Sequence, residues 1–260
     1  MQALRIFAVS SVFSYRALFS WLRPSAYIAN KLAFPLLQLS FFAMIGTFGG
    51  AQPLSFYVLG NAILVVYQAM FVVATSVGNE RWEGTLPYVL ASPAHRVALF
   101  FGRASVHVLD GMLDVIVAFT FAVVVFGVDL SQAQWAGLAA GIFVATVAAS
   151  AMGLAIGAAS FLVLDASFLA NLAMFVVLLL SGANVPIAEL PGWLQAVAWA
   201  LPLTRSVEAV RGYAAGADLL SGLPLLATDL AIGLAWAIGG YLLFSWFEER
   251  ARRMGTLDRV

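Results

Sequence analysis

The chain has 260 residues and a formal net charge of zero; 63% of its residues are hydrophobic and 10% are charged. Soluble domains carry about 25% charged residues, so this chain has too few charges to cover a surface in water, and it is too apolar to be disordered. The neutral balance gives no reason to expect a nucleic-acid partner, and the absence of cysteine excludes disulfides and thiolate metal sites. We therefore predict an all-α protein embedded in a lipid bilayer.

Six stretches are long and apolar enough to cross a bilayer, which takes about 20 mostly apolar residues. They cover approximately 25–46, 54–78, 103–127, 135–163, 167–184 and 224–247. A transmembrane domain is thus predicted over 25–247, between a leader at 1–24 and a tail at 248–260.

Cationic residues concentrate before the first predicted span, between the second and third, and after the sixth. The positive-inside rule then places both termini in the cytoplasm. In the leader, Arg5, Arg16 and Arg23 share one helical face and Pro24 follows them. This pattern predicts an amphipathic helix lying in the cytoplasmic interface against membrane lipid; the alternative is a fraying polar leader.

Polar side chains lie within the first three predicted spans. Charged groups in a membrane are costly and mark either a functional site or a paired structural one. Asp110 and Asp114 share a face of the third span, and Lys31 of the first span is a candidate partner for one of them. The polar candidates are Lys31, Gln38, Asn61, Gln68, His107, Asp110 and Asp114. They either line a route through the membrane or bridge neighbouring helices.

The loop at 80–96 is cytoplasmic by the charge argument. Thr85 can cap a short helix, and Pro87 suits its first turn. Residues 86–91 are therefore predicted to form a short amphipathic helix, whose apolar side chains need a partner or lipid. The alternative is a loop that folds back on its own bundle.

The fourth predicted span carries a small residue at every fourth position. The stripe consists of Gly137, Gly141, Ala145, Ala149, Gly153 and Gly157. Small residues let membrane helices approach closely, so the stripe predicts helix packing, with pore lining as the alternative.

The segment between the fifth and sixth spans contains prolines that bracket apolar pieces too short to cross a membrane. This pattern predicts re-entrant half-helices on the outer side, shielded by protein; an ordinary outer loop with an interfacial helix is the alternative. Arg205 and Arg211 flank Glu208 at helical spacing, so we expect a local ion pair. The residues singled out here are Pro186, Pro191, Trp193, Pro202, Glu208 and Arg211.

No nucleotide site is present in the sequence. A P-loop needs G-x-x-x-x-G-K-[ST], whereas the one lysine, Lys31, stands between Asn30 and Leu32. Any ATP and magnesium must therefore be bound by a partner. The chain also lacks a G-x-S-x-G nucleophile motif, and we expect no catalytic residue, cofactor or metal in it.

Two segments resemble the signatures of type-2 ABC exporter permeases, the membrane subunits of drug, nodulation-factor and polysaccharide exporters. The loop at 80–96 carries this resemblance through Glu80, Gly84, Thr85, Leu86, Ser92, Pro93 and Arg96. The outer segment carries it through Ser181, Gly182, Pro186, Pro191, Trp193, Leu194, Pro202, Glu208, Arg211 and Gly216. A leader, six spans and both segments occur in the order that this family has.

The resemblance implies a homodimer or heterodimer of permeases in the inner (plasma) membrane, with two ABC ATPase subunits. It also implies that the short cytoplasmic helix and the leader dock on the ATPase. The predicted coupling residues are Glu80, Arg81, Glu83, Gly84, Thr85, Leu86, Tyr88 and Arg96. The expected function is outward export of a lipophilic compound by alternating access. The alternatives are export of a lipid-linked glycan or polysaccharide, proton-coupled secondary transport through Asp110 and Asp114, and a scaffold that transports nothing.

Overall fold

The computed structural model describes residues 5, 9, 11–12, 23–82, 84, 96–163 and 165–254. This part of the chain is almost entirely helical and contains no strand, as predicted for an all-α protein. The helices are α1 (Pro24–Gly49), α2 (Leu54–Leu64), α3 (Tyr67–Trp82), α4 (Arg96–Val124), α5 (Trp135–Val163), α6 (Ala166–Leu180), α7 (Gly192–Ala200), α8 (Thr204–Ala214) and α9 (Leu219–Met254). A 3₁₀ turn, Ile187–Glu189, lies between α6 and α7.

Within the described residues, five helical stretches are long and apolar enough to cross a membrane. They are Pro24–Gly49, Leu54–Gly78, Ala104–Val124, Trp135–Leu162 and Leu219–Arg250. Helix α6 is apolar but has only 15 residues. At 1.5 Å per residue it measures about 22 Å, short of the roughly 30 Å hydrocarbon core. The chain is a multi-pass membrane protein, and a sixth span through α6 stays a prediction.

Helix boundaries follow local chemistry as well as hydropathy. Pro24 opens α1, where its missing N–H costs nothing, and Asp165 caps α6 by accepting from Phe168 N at 2.9 Å. Helix α4 begins at Arg96, earlier than the predicted 103, and α9 continues to Met254, past the predicted end at 247. The spans were predicted from apolar stretches, which end where charged residues begin, whereas the hydrogen-bonded helices continue beyond that point.

The second predicted span is broken at Val65 and Val66, which are fully buried. Three amides around the break bond three residues back rather than four: Val66 N to Ile63 O at 3.2 Å, Gln68 N to Val65 O at 3.0 Å and Ala69 N to Val66 O at 2.9 Å. Tightened turns inside a helix often mark a hinge. The span therefore consists of two rods, α2 and α3, joined at a buried turn.

Helix α5 packs against α3, α8 and α9. A Cβ on Gly153 would lie 2.5 Å from Met70 O, and one on Gly157 would lie 2.9 Å from Ala74 O. Towards the other end of α5, a Cβ on Gly137 would lie 2.5 Å from the Tyr213 ring. These approaches confirm that the small-residue stripe serves helix packing.

The chain between α6 and α9 forms the 3₁₀ turn and two short helices, α7 of 9 residues and α8 of 11. Neither reaches the length of a span, as the proline pattern predicts. Helix α8 packs against α9, α5 and α2. The fold thereby places polar side chains inside an apolar bundle, among other places between α1 and α4 and where α2, the end of α6 and α8 meet.

Candidate functional site

A group of charged side chains joins α1 to α4; we call Tyr27, Lys31, Asp110 and Asp114 the charged cluster. Lys31 Nζ lies 2.7 Å from Asp110 Oδ2 and 2.7 Å from Asp114 Oδ2. It also donates to the backbone oxygen of Asp110 at 3.1 Å. The sequence predicts Lys31 as a partner for one of the two acids, and in the structure it pairs with both.

Helical spacing assembles the charged cluster. Asp110 and Asp114 are four residues apart on α4, and Tyr27 and Lys31 are four apart on α1, so each pair shares a face. The Tyr27 hydroxyl donates to Asp110 Oδ1, and the Lys31 ammonium lies 5.4 Å from the centroid of the Tyr27 ring. The side chains of Lys31, Asp110 and Asp114 are 12%, 17% and 10% exposed, so the cluster is largely buried but keeps some accessible surface.

His107 precedes Asp110 by one turn of α4. It is 5% exposed and interacts electrostatically with Asp110 and Lys31. Its Nδ1 has no hydrogen-bond partner among the described residues. The imidazole therefore extends the polar face of α4 beyond the charged cluster.

Arg211 of α8 forms the centre of the polar region where α2, the end of α6 and α8 meet. Its Nη1 donates to Gly182 O at 2.8 Å, and its Nη2 donates to Ala183 O at 2.7 Å and to Phe56 O at 2.9 Å. The guanidinium also lies 3.6 Å from the centroid of the Phe56 ring. Two of these carbonyls lie just past the C-terminus of α6, where the helix dipole favours a cation. Arg211 thus ties the end of α6 to α2.

Gly60 and Asn61 of α2 complete this region. A Cβ on Gly60 would lie 2.2 Å from Arg211 Nη2 and 2.5 Å from Ala183 O, so the arginine fits only because the residue is glycine. Asn61 Nδ2 donates to Asn184 Oδ1 at 2.7 Å and to Tyr57 O at 2.9 Å. We call Asn61, Asn184 and Arg211 the polar junction, since together they hold α2, the end of α6 and α8.

The prediction that Glu208 forms a local ion pair with Arg205 or Arg211 is wrong. Glu208 is exposed, and within the described part of the chain it has no ion pair with either arginine. Arg211 binds the three carbonyls, and Arg205 donates to Trp199 O at 2.7 Å while lying 4.9 Å from the Trp199 ring. Spacing along one helix could not reveal these competing acceptors, because they come from other segments.

Sequence reasoning missed Asp229, a fully buried carboxylate on α9. It accepts from Leu203 N at 3.1 and 3.2 Å and from the Ser206 hydroxyl. Leu203 has a φ of 84°, which is strained for a leucine, and this contact holds it at the start of α8. A lone acid inside a predicted span was the signal that could have found it.

Two of the predicted amides bridge helices. Gln38 Oε1 of α1 accepts from the Tyr67 hydroxyl of α3 at 3.0 Å, and Asn61 belongs to the polar junction. Gln68 is partly buried on α3, next to the break in the second span. For Gln38 and Asn61 the contacts favour the bridging alternative over pathway lining.

The chain was compared with models of known protein families. The model described as ABC-2 type transporter matches residues 10–214, which includes the loop at 80–96 and every signature residue of the second segment except Gly216. The chain belongs to the ABC-2 type transporter family. It is accordingly the membrane permease component of an ABC transporter, which works with an ABC ATPase and is not itself that ATPase. A comparison with curated proteins gave no match.

Most of the coupling residues predicted for this ABC-2 permease fall where the structure describes little. Glu83, Thr85, Leu86 and Tyr88 lie outside the described residues. Glu80 and Arg81 stand in the last turn of α3, and Arg96 is the first residue of α4. Gly84 is an exposed turn residue with a φ of 66°.

The leader of the permease is described at residues 5, 9 and 11–12, which are helical, and at Arg23, where Pro24 begins α1. The Ser11 hydroxyl donates to Gly102 O at 2.8 Å and lies 3.0 Å from Ser105 Oγ. The leader therefore contacts α4 near its start, on the same helix that carries the charged cluster. The remaining leader residues, Arg16 among them, lie outside the described part.

In the segment predicted to lie on the outer side of the membrane, prolines stand where helices start. Pro186 precedes the 3₁₀ turn and Pro191 is the N-cap residue of α7. Pro202 is buried, whereas Trp193 is 70% exposed, as expected for an indole at the headgroup level. Across the described residues, no group of three or more histidines and acids is placed to hold a metal ion.

Proposed function

We propose that this permease exports a lipophilic compound by alternating access, driven by a separate ATPase subunit. The observation that carries the proposal is the family match over 10–214, combined with a sequence that contains no nucleotide-binding motif. The largely apolar bundle supports a lipophilic cargo, because an apolar ligand binds in sites with few and well-placed polar groups. The proposed cellular location is the inner (plasma) membrane, with both termini in the cytoplasm.

The segment at 80–96 is the proposed docking site for the ATPase. It connects the end of α3 to the start of α4, so a push on it reaches both helices. Helix α4 bears on α1 through the charged cluster, and on the leader through Ser11. ATP and magnesium are bound by the partner, and the coupling residues transmit force without taking part in chemistry.

The break between α2 and α3 supports two positions of the second span. Helix α3 adjoins the proposed cytoplasmic loop, whereas α2 is held by the polar junction. A buried turn between two rods is the kind of element that can take up a change in angle during a switch. In this proposal α3 follows the ATPase while Arg211 keeps α2, α8 and the re-entrant segment together on the outer side.

The proposed assembly is a dimer of permeases with two ATPase subunits. Helices α1 and α6 expose large apolar side chains, among them Phe41 at 59%, Phe48 at 88% and Phe175 at 60%. Such surfaces suit lipid or a second permease chain. The proposed route runs between α1, the second span and α6 of the two copies, which ATP-driven closure opens outward.

Two glycines with the same backbone conformation give a matched test. Gly84 and Gly50 have φ values of 66° and 63°, are exposed, and have open space around their Cβ positions. Valine is strained at either site, but only Gly84 lies in the proposed docking loop. We expect Gly84→Val to abolish ATP-driven transport by the complex, and Gly50→Val to leave it near the wild-type rate.

The experiment uses the permease co-purified with its ATPase and reconstituted into liposomes, with uptake of a lipophilic dye as the measurement. If the Gly84→Val complex takes up the dye at the wild-type rate, the proposed docking role of the loop is contradicted. Uptake by the permease with no ATPase present, driven by a proton gradient, would instead favour the secondary-transporter alternative.

A further inference from the structure

The charged cluster has the composition of a binding site for an ammonium group. Lys31 Nζ has two carboxylate oxygens at 2.7 Å, a backbone oxygen at 3.1 Å and the Tyr27 ring at 5.4 Å. Carboxylates and aromatic faces are the groups with which proteins bind organic cations. The ammonium now held there belongs to the protein itself, on the flexible stem of a lysine.

Within the part of the chain that the structure describes, the cluster joins two carboxylates to one ammonium. Among the side chains that the structure describes, Lys31 forms the ion pairs of Asp110 and Asp114, and His107 lies one turn before Asp110. Helices α2, α3 and α5 also lie beside α4; the sequences of α2 and α5 contain no charged residue, and the charges of α3, Glu80 and Arg81, stand in its last turn. A carboxylate without a counter-charge is unfavourable inside a membrane. The cluster therefore favours a second cation.

Exposed apolar side chains flank the members of the cluster along α1 and α4. Ile28 and Leu32 of α1 are 57% and 48% exposed, and Leu109 and Leu113 of α4 are 65% and 53% exposed. Each stands one residue away from a member of the cluster. A ligand with a cationic head and an apolar body would satisfy both surfaces, since its head would meet the carboxylates and its body the exposed leucines.

We propose that the charged cluster recognises the ammonium group of a lipophilic amine, which competes with Lys31 for Asp110 and Asp114. This inference rests on the proposed function and deepens it by assigning a substrate class. Lys31 acts as a tethered competitor that fills the site when no amine is bound. Binding of the amine releases Lys31 from α4, so the tie between the first and third spans opens as the cargo is loaded.

The test compares two amphiphiles that differ in charge alone. The permease–ATPase complex in lipid nanodiscs is titrated with a fluorescent dodecyltrimethylammonium probe and with its uncharged isostere, in which carbon replaces nitrogen. We expect the wild type to bind the ammonium probe about tenfold more tightly, which corresponds to about 1.4 kcal/mol. Asp114→Asn is expected to remove this preference while leaving a balanced pair of Lys31 and Asp110.

Asp129→Asn is the matched control. Asp129 is exposed in the loop after α4, where the backbone N–H of Ser131 donates to it at 2.8 Å and lowers the pKa of its carboxyl. It is therefore charged at neutral pH, and its loss should leave the preference intact. Lys31→Met is expected to raise the affinity for the ammonium probe, because the tethered competitor is gone.

Equal binding of the two probes by the wild type would overturn the proposal. An ammonium preference that survives Asp114→Asn, or that Asp129→Asn removes equally, would overturn it too. If the complex still exports the uncharged probe with ATP, the proposed function stands and only the substrate class falls. A chain that never associates with an ATPase contradicts the proposed function itself.

Discussion

Replacement of Gly60 by alanine tests the polar junction with a single methyl group. The new Cβ would lie 2.2 Å from Arg211 Nη2, 2.5 Å from Ala183 O and 3.0 Å from Ala183 Cα. The guanidinium can move, but the backbone of Ala183 is fixed by the end of α6. We therefore expect Arg211 to be displaced and the contact between α2 and the chain after α6 to open.

The size of the effect follows from two destabilising contributions and one that offsets them. Overpacking a well-filled site costs about 1–3 kcal/mol. Displacement of Nη2 removes its bonds to Phe56 O and Ala183 O, each worth about 0.6–1.7 kcal/mol within a membrane protein. Alanine stabilises a helix by about 1 kcal/mol relative to glycine, which offsets part of this cost. The net loss of unfolding free energy should be about 1–5 kcal/mol.

The assay is denaturant unfolding of the purified permease in mixed micelles, with Gly239→Ala as the control. Gly239 lies within α9, and nothing stands within 4 Å of its Cβ position. The control should be neutral or stabilised by up to about 1 kcal/mol. If Gly60→Ala unfolds at the same midpoint as the wild type, Arg211 is not held as the distances indicate.

Three further predictions concern the fold and its orientation. Asp229→Leu should lower the unfolding free energy by about 2–4 kcal/mol, because the buried Leu203 N–H and Ser206 hydroxyl lose their acceptor; Glu189→Leu, at an exposed position of the 3₁₀ turn, is the control. Arg211→Lys should also destabilise the permease in the same assay, since an ammonium cannot match the planar fork that contacts three carbonyls, and an unchanged midpoint would argue against that geometry. The chain has no cysteine, so in intact cells a membrane-impermeant maleimide should label Gly50→Cys and spare Gly84→Cys; the reverse pattern would contradict the topology.

Hydropathy and helical spacing predicted much of the fold, because both depend on the chain alone. The positions of the apolar spans follow from the need to match the bilayer, and the close packing of α5 follows from its small residues. The pairing of Lys31 with Asp110 and Asp114 was also within reach, since few partners exist for a charge inside a membrane. In each of these cases one physical requirement leaves few solutions.

The other features depend on contacts between distant segments. No proline or glycine stands at Val65 and Val66 to indicate the break, and valine is an ordinary residue for a membrane span. The partners of Arg211 are backbone carbonyls, which every residue carries, so no side-chain pattern points to them. Asp229 accepts a hydrogen bond from Leu203 N, 26 residues earlier in the chain, and only the packing of α8 on α9 brings the two residues together.

The central claim is that this permease moves its cargo with energy from a separate ATPase. The most direct measurement is uptake of a lipophilic dye into proteoliposomes that contain the permease alone, the permease with its ATPase, or the permease with an ATPase unable to hydrolyse ATP. The account predicts uptake above the empty-liposome rate only for the second preparation, and only with ATP and magnesium. Equal uptake by the permease alone would contradict it.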